Sequence, residues 1–412
     1  MTAANARLNG GAGAANISLT DCMYPGLKNF TNTCYMNSLV QCLAYNPFFT
    51  KVILSNAFVS NDSTFLSKLK PFMECLNRLQ NTNGNTDQSV KRNSLNELQR
   101  HMKVCVEHAW TNFETILPHR QDDPVELFRY ITNEYLDTTL NESGTDTPLL
   151  SSDCVSCERR HPPTLDAHMH RFRNVFGYMY KKDTTCVFGE DSDTATHSSP
   201  PNCSNVLELA VQKRDQSYLS TVQEAIDYLA EEESIEKENF WRCSCVTSGK
   251  KLVGQTIKDS ISNSSDVLIV QRKIFHGITS QKITPQSAGK QDGFTFKNNK
   301  ILKVGDVNYE LQAVIVHVSY GPTLSLNSGH FIAYVKTDVV SDSWKKFSDR
   351  DVVVAVDFET TVQTANGYML FYNRQTTGKY LWLFFFCLRD GMFNAKREHF
   401  IECVYAITCL QT

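Results

Sequence analysis

The chain has 412 residues, 41% hydrophobic and 21% charged, which is the composition of a soluble globular protein with apolar side chains enough for a sizeable core. Its 41 Lys and Arg against 44 Asp and Glu leave a formal charge of -3, with none of the basic excess that a phosphate backbone rewards. Nucleic acid is therefore not the expected partner, and one with a basic tail suits better. The opening "MTAANARLNGGAGAANISLT" lacks the continuous apolar stretch of a secretory leader, so the chain is expected in the reducing cytosol or nucleus. Its fourteen cysteines are then metal ligands, catalytic groups or small buried hydrophobes and not disulfides.

Residues 1 to about 24 are Ala, Gly and Asn with few large apolar side chains, and read as a disordered tail. From Thr33 an amphipathic helix is expected, with Met36, Leu39, Val40 and Leu43 at helical spacing and Asn32 or Thr33 as its cap. "FLSKLKPFMECLNRL" from Phe65 and "VELFRYITNEYL" from Val125 read as further helices, separated by the turn-rich loop "QNTNGNTDQS". Between about 150 and 265, Ser, Thr, Asp and Pro clusters interrupt short alternating segments, and one acidic helix, "TVQEAIDYLAEEE", runs from Thr221. From Asp266 the runs "DVLIVQRKIF", "YELQAVIVHVSY", "GHFIAYVKT", "WKKFSD" and "GYMLFYNR" are rich in Val, Ile, Tyr and Phe and read as strands. Helices first and strands last make an α+β protein. The tail beyond Arg374 carries "YLWLFFFCL", far short of the roughly 20 apolar residues that span a bilayer, so a docked helix or strand, or a sequence unrelated to the domain's own fold, is expected there and no transmembrane segment.

Cys34 falls in the first turn of the first helix, where the dipole and unpaired N–H groups lower a thiol's pKa. Alone, such a cysteine is ordinarily one more buried thiol. A nucleophile needs a base from elsewhere in the chain, and His330 in "NSGHFIAYVK" stands out among eleven histidines. It opens a strand, where a side chain is presented without being buried, and the small Gly329 before it leaves room for substrate.

These two segments carry a resemblance. "GLKNFTNTCYMNSLVQCL" resembles the Cys box of the ubiquitin-specific proteases, Gly-Leu-x-Asn-x-Gly-Asn-Thr-Cys-Tyr-Met-Asn-Ser. "YELQAVIVHVSYGPTLSLNSGHFIAYVK", "WKKFSDRDV" and "GYMLFYNR" resemble its His box, and "QDDPVELFRYI" resembles its Gln-Gln-Asp-Ala-x-Glu-Phe element. The three stand in the family's order over about 25 to 374. The resemblance implies a papain-like catalytic domain with a helical thumb (about 25–165), β fingers (about 166–265) and a β palm (about 266–374), followed by a tail of unknown role at 375–412. It implies a cysteine deubiquitinase that hydrolyses the thioester, amide or isopeptide bond at ubiquitin's C-terminal glycine. Residue by residue, Cys34 matches the nucleophile, His330 the general base and Asn29 the oxyanion donor. The orienter of the imidazole falls on Ser348, with Asp349 as the close alternative. Gln121, Asp123, Glu126 and Gly329 match substrate-binding positions, the carboxylates being suited to the arginines of the tail Leu-Arg-Leu-Arg-Gly-Gly.

The sequence also departs from that pattern. Thr31 stands where the family has Gly, and a β-branched residue at a positive φ costs about 1–3 kcal/mol. The paired Cys-x-x-Cys motifs that hold a zinc in the fingers of many members are degraded: Gly189 follows Cys186 at the partner position, and the second pair has shrunk to Cys243 and Cys245. Cys154 and Cys157, with His161, offer a lone pair without a well-spaced partner. A structural zinc is thus the less expected outcome, and the thiol chemistry itself requires no cofactor. Thr31 and Ser348 motivate one rival reading, a catalytically silent ubiquitin-binding scaffold of the same fold. Others are a structural zinc protein and a protease for a ubiquitin-like modifier. The expected state is a monomer in the cytoplasm or nucleus, with ubiquitin or ubiquitinated proteins as partners.

Overall fold

The computed structural model describes residues 18–54, 63–82, 86–141, 175–188, 193–199, 202–235, 252–263, 265–275, 297–319, 326, 328–338 and 342–375. The helices are α1 (Leu19–Met23), α2 (Cys34–Ala44), α3 (Pro47–Ile53), α4 (Phe65–Gln80), α5 (Gln88–Asn112), α6 (Pro124–Asn141) and α7 (Val222–Leu229). Their N-termini are closed by the expected kind of residue: Asn46 accepts from the N–H groups of Phe48 and Phe49, Thr64 from Ser67, Asp87 from Ser89 and Thr221 from Glu224. Three features differ from the sequence reading. The expected disordered tail ends early, because Ser18 and Asp21 form a capping box that starts α1, and Cys22 is fully buried. Helix α5 was not expected, although Leu98, Met102, Cys105, Val106 and Ala109 are buried, with Leu95 and Trp110 packed beside them, at the three- and four-residue spacing of one helix face. Helix α2 is not amphipathic, all eleven of its residues being buried.

The strands are β1 (Tyr178–Phe188), β2 (Asp193–Ser198), β3 (Asn202–Ser204), β4 (Leu207–Leu209), β5 (Glu233–Ser234), β6 (Leu252–Asn263), β7 (Val267–Arg272), β8 (Ile301–Val304), β9 (Val307–Val318), β10 (His330–Lys336), β11 (Trp344–Ser348), β12 (Asp351–Val356) and β13 (Gly367–Arg374). One sheet has the order β2-β1-β6-β5 with β3 beside β1; the other runs β12-β11-β10-β9-β13-β7-β4 with β8 on β9. Strand β4 lies parallel to β7, so the palm sheet takes one strand from the stretch assigned by sequence to the fingers. The expected strands at β7, β9, β10, β11 and β13 all form.

The eight-stranded sheet is covered on both faces. Ala313 and Ile315 of β9 join the cluster of Met36, Leu39 and Phe128, while Val314 and Val316 join that of Leu219, Ala225 and Trp344. Alternate residues point to opposite faces, which is why "AVIV" reads as a continuous apolar run. Met36, Leu39, Val40 and Leu43 are all fully buried. At about 1.5–3 kcal/mol for each such side chain removed from water, that burial seats α2, and with it Cys34, against the sheet. Among the described residues, no helix is long and apolar enough to cross a membrane. The chain up to Asn373 is one compact unit; of the second, Arg374–Thr412, only Arg374 and Gln375 are described, so "YLWLFFFCL" lies outside.

Candidate active site

Cys34 is the first residue of α2 and is 2% exposed. The loop ahead of it closes on itself. Asn29 Oδ1 accepts from the Thr33 N–H at 3.1 Å, and Thr33 Oγ1 accepts from the Phe30 N–H at 2.9 Å, so Thr33 caps the turn and leaves the helix without a side-chain cap. This closure needs two successive left-handed residues, Thr31 (φ 76°) and Asn32 (φ 57°). Asparagine tolerates that region and a β-branched residue does not. The departure at Thr31 therefore falls on a strained backbone position. Asn32 helps to hold it, its side-chain amide donating to the His119 carbonyl at 2.8 Å.

The helix start does not make Cys34 a resting thiolate. Burial pushes its pKa from 9.0 up to about 11; a hydrogen bond from the Phe331 backbone opposes the rise, and the nearby Asp349 charge adds to it. Desolvation outweighs the helix terminus here. The same Phe331 contact joins the sulfur to β10, where His330 is the first residue.

His330 Nε2 lies 2.9 Å from Ser348 Oγ and 3.9 Å from Asp349 Oδ2, so Ser348, the last residue of β11, touches the imidazole and Asp349 acts on it through space. Asp349 has a larger network of its own. Its Oδ2 accepts from Asn29 Nδ2 at 2.9 Å, its Oδ1 from Asn37 Nδ2 at 2.7 Å and its carbonyl from the Leu27 N–H at 2.8 Å, with φ at 52°. Asn37 went unnoticed in the sequence, because on a helix read as amphipathic a polar residue one turn after Cys34 passes for part of an exposed face, whereas α2 is buried all round. Lys28, Asn29, His330, Ser348, Asp349, Arg350 and Asp351 line a cavity of about 510 Å³.

Gly329 carries a constraint beyond room for substrate. Its φ is 151°, and a Cβ would lie 2.5 Å from the Val318 carbonyl oxygen and 2.7 Å from the His317 ring. Gln121 Nε2 donates to the Leu326 carbonyl at 2.9 Å and lies 3.3 Å from His317 Nε2, tying the start of α6 to the segment that precedes His330.

The two carboxylates matched to substrate arginines have internal partners. Asp123 is buried; its Oδ1 accepts from the Val125 N–H at 2.8 Å and its Oδ2 from the Tyr368 hydroxyl. Burial pushes its carboxyl up to about 6 against the pull of those two donors. Glu126 is half-exposed and ion-paired at 2.5 Å with Arg129. Of the thiols considered for zinc, Cys186 is fully buried and takes a contact from Gln255 Nε2 at 3.5 Å. Cys154, Cys157, Cys243, Cys245 and His161 lie outside the described residues. Among the described residues, no group of three His, Cys, Asp or Glu side chains is placed to hold a metal ion.

Residues 25–372 match the family model described as ubiquitin carboxyl-terminal hydrolase. Ubiquitin carboxyl-terminal hydrolase 25 of Arabidopsis thaliana is 24% identical over 85% of this chain and 47% of its own length. Ubiquitin carboxyl-terminal hydrolase 8 of Saccharomyces cerevisiae is 24% identical over 84% and 70%. The chain spans 47%, 67% and 55% of the length of three of the curated relatives it matches. Among solved structures, the SAGA DUB module of Ubp8, Sgf11, Sus1 and Sgf73 bound to monoubiquitin matches with a TM-score of 0.61, at 19% identity over 88% of this chain and 71% of that one. The same module bound to ubiquitin aldehyde gives 0.59, at 20% identity over 86% and 70%. The likeness establishes a shared α+β fold of helices and two sheets. With the family model matched along most of its length, the chain belongs to the ubiquitin carboxyl-terminal hydrolase family.

Proposed function

We propose that the chain is a thiol-dependent deubiquitinase that hydrolyses thioester, amide or isopeptide bonds at the C-terminal glycine of ubiquitin. The observation that carries this reading is the meeting of two distant segments: Cys34 at the start of a buried helix, its sulfur against the backbone of Phe331, next to a His330 whose Nε2 rests on Ser348. Two fold neighbours, one bound to monoubiquitin and one to ubiquitin aldehyde, support the choice of substrate.

With Nε2 engaged by Ser348, His330 Nδ1 is the nitrogen that takes the Cys34 proton as the sulfur attacks the glycine carbonyl. The carbonyl becomes a tetrahedral oxyanion, received by the Asn29 amide and by N–H groups at the α2 terminus. Asn29 gives one N–H to Asp349, and an amide carries two, so the second is the one offered to the oxyanion. The protonated His330 then delivers its proton to the leaving amine, the C–N bond breaks and a thioester remains. Water, losing a proton to His330, attacks the thioester, and the carboxylic acid leaves as the thiol is restored. Because the resting thiol is neutral, thiolate is generated by proton transfer in the complex. No cofactor enters this chemistry, a fingers zinc is the less favoured state, and the proposed setting is a monomer in the cytoplasm or nucleus.

The test is steady-state hydrolysis of a fluorogenic ubiquitin C-terminal amide. Turnover that is lost in Cys34→Ser and in His330→Ala is expected; turnover that survives either substitution removes the assignment.

A further inference from the structure

Three charged pairs linked through Arg129 and Glu208 form a chain from α6 to the palm sheet. Arg129 Nη1 pairs with Glu126 Oε1 and Arg129 Nη2 with Glu208 Oε1, each at 2.5 Å; Lys273 Nζ pairs with Glu208 Oε2 at 2.5 Å. Glu208 lies on β4 and Lys273 just beyond β7, so Arg129 bridges the thumb to the edge of the palm. Two carboxylates face two cations, and the cluster is neutral as it stands. Asp123, three residues before Glu126, is closed off by Tyr368 and Val125. Of these two carboxylates, then, Glu126 is the one accessible to a cationic substrate tail, and it is already occupied.

We propose that Arg129 is a specificity-determining residue: it neutralises Glu126 from within, and an arginine of the substrate tail must replace it there while Arg129 stays on Glu208. This inference rests on the ubiquitin reading above. The exchange is feasible because Arg129 has two partners and keeps one, with Lys273 sharing Glu208. All four side chains are about a third or more exposed, so the internal pair is weak enough to give way and strong enough to raise KM. A lone Glu126 would attract any cationic tail. The internal pair instead demands a guanidinium that competes on equal terms, forked and planar like the one it displaces.

The test compares Arg129→Gln, Glu126→Gln and the double variant in hydrolysis of the fluorogenic ubiquitin amide, with unfolding midpoints recorded for each. The expected result is a KM about two- to fivefold lower in Arg129→Gln, with kcat carrying none of the change, and a steeper rise of KM with salt. That gain should vanish in the double variant, and Arg129→Lys, which cannot fork between two carboxylates, should fall between. Turnover in the unsubstituted protein with a KM that is unmoved or raised in Arg129→Gln overturns the inference and leaves the ubiquitin reading standing. So does a gain that persists without Glu126. Absence of turnover in the unsubstituted protein overturns both.

Discussion

Replacing Asp349 should damage the enzyme more than replacing Ser348, although Ser348 is the residue that touches His330. The serine contributes one neutral hydrogen bond to Nε2 at 2.9 Å. Such a bond is worth about 0.5–1.5 kcal/mol, so Ser348→Ala should lower kcat about two- to thirteenfold. Asp349 holds two amides at 2.9 and 2.7 Å and sits 3.9 Å from His330 Nε2. Without it, the buried Asn37 amide loses its charged partner and Asn29 loses the anchor that fixes its remaining N–H. Loss of one oxyanion donor costs about 10²–10³ in rate, and Asp349→Ala should show a kcat reduction of that order. Asp349→Asn should recover little, since it keeps the shape and presents a donor to donors. The assay is steady-state hydrolysis of the fluorogenic ubiquitin amide at neutral pH, with thermal unfolding to confirm the fold. A Ser348→Ala deficit larger than that of Asp349→Ala, or an Asp349→Ala variant within threefold of the parent, would refute this division of roles.

Thr31→Gly should stabilise the protein by about 0.5–2 kcal/mol, the relief of a strained left-handed threonine less the added freedom of glycine in the unfolded chain; a lower denaturant midpoint would contradict the strain at φ 76°. Gly329→Ala should abolish turnover and lower the melting temperature, because its Cβ meets the Val318 carbonyl and the His317 ring, and an active, equally stable variant would show that the close approach is absent. Alkylation of Cys34 by iodoacetamide in the free protein should rise with pH toward about 11 with no plateau near neutrality, since burial holds the thiol protonated. The folded-state pKa lies above the unfolded value near 9.0, so the stability linked to this thiol is present below about pH 9 and is lost as pH climbs through 11. An alkylation plateau at about pH 6–7 would mean a resting thiolate.

The elements read most clearly in the sequence were those buried on both sides. "AVIV" in β9 and "GYMLFY" in β13 are continuous apolar runs that no surface element would carry, and both form interior strands of the palm. Helix α5 was legible too and was missed: Leu95, Leu98, Met102, Cys105 and Ala109 recur every three or four residues along it, the spacing of one helix face. Cys34, His330 and Ser348 were legible from motif order, and the fold brings their segments together. The partners of Asp123 and Glu126 were not legible: Tyr368 lies 245 positions from Asp123, and Glu208 lies 79 from Arg129. No local pattern encodes such pairings. For the same reason the charge state of Cys34 could not be read from its place at a helix start, since desolvation depends on what the sheet and thumb lay over it.

The proposed function stands or falls on attack by Cys34 at the carbonyl of ubiquitin's terminal glycine. Its most direct measurement is capture by ubiquitin bearing a C-terminal electrophile, with the adduct site read by mass spectrometry. A one-to-one covalent adduct on Cys34 is expected, absent in Cys34→Ala and slowed in His330→Ala. Tight non-covalent binding with no adduct, or an adduct on another of the fourteen cysteines, would contradict it.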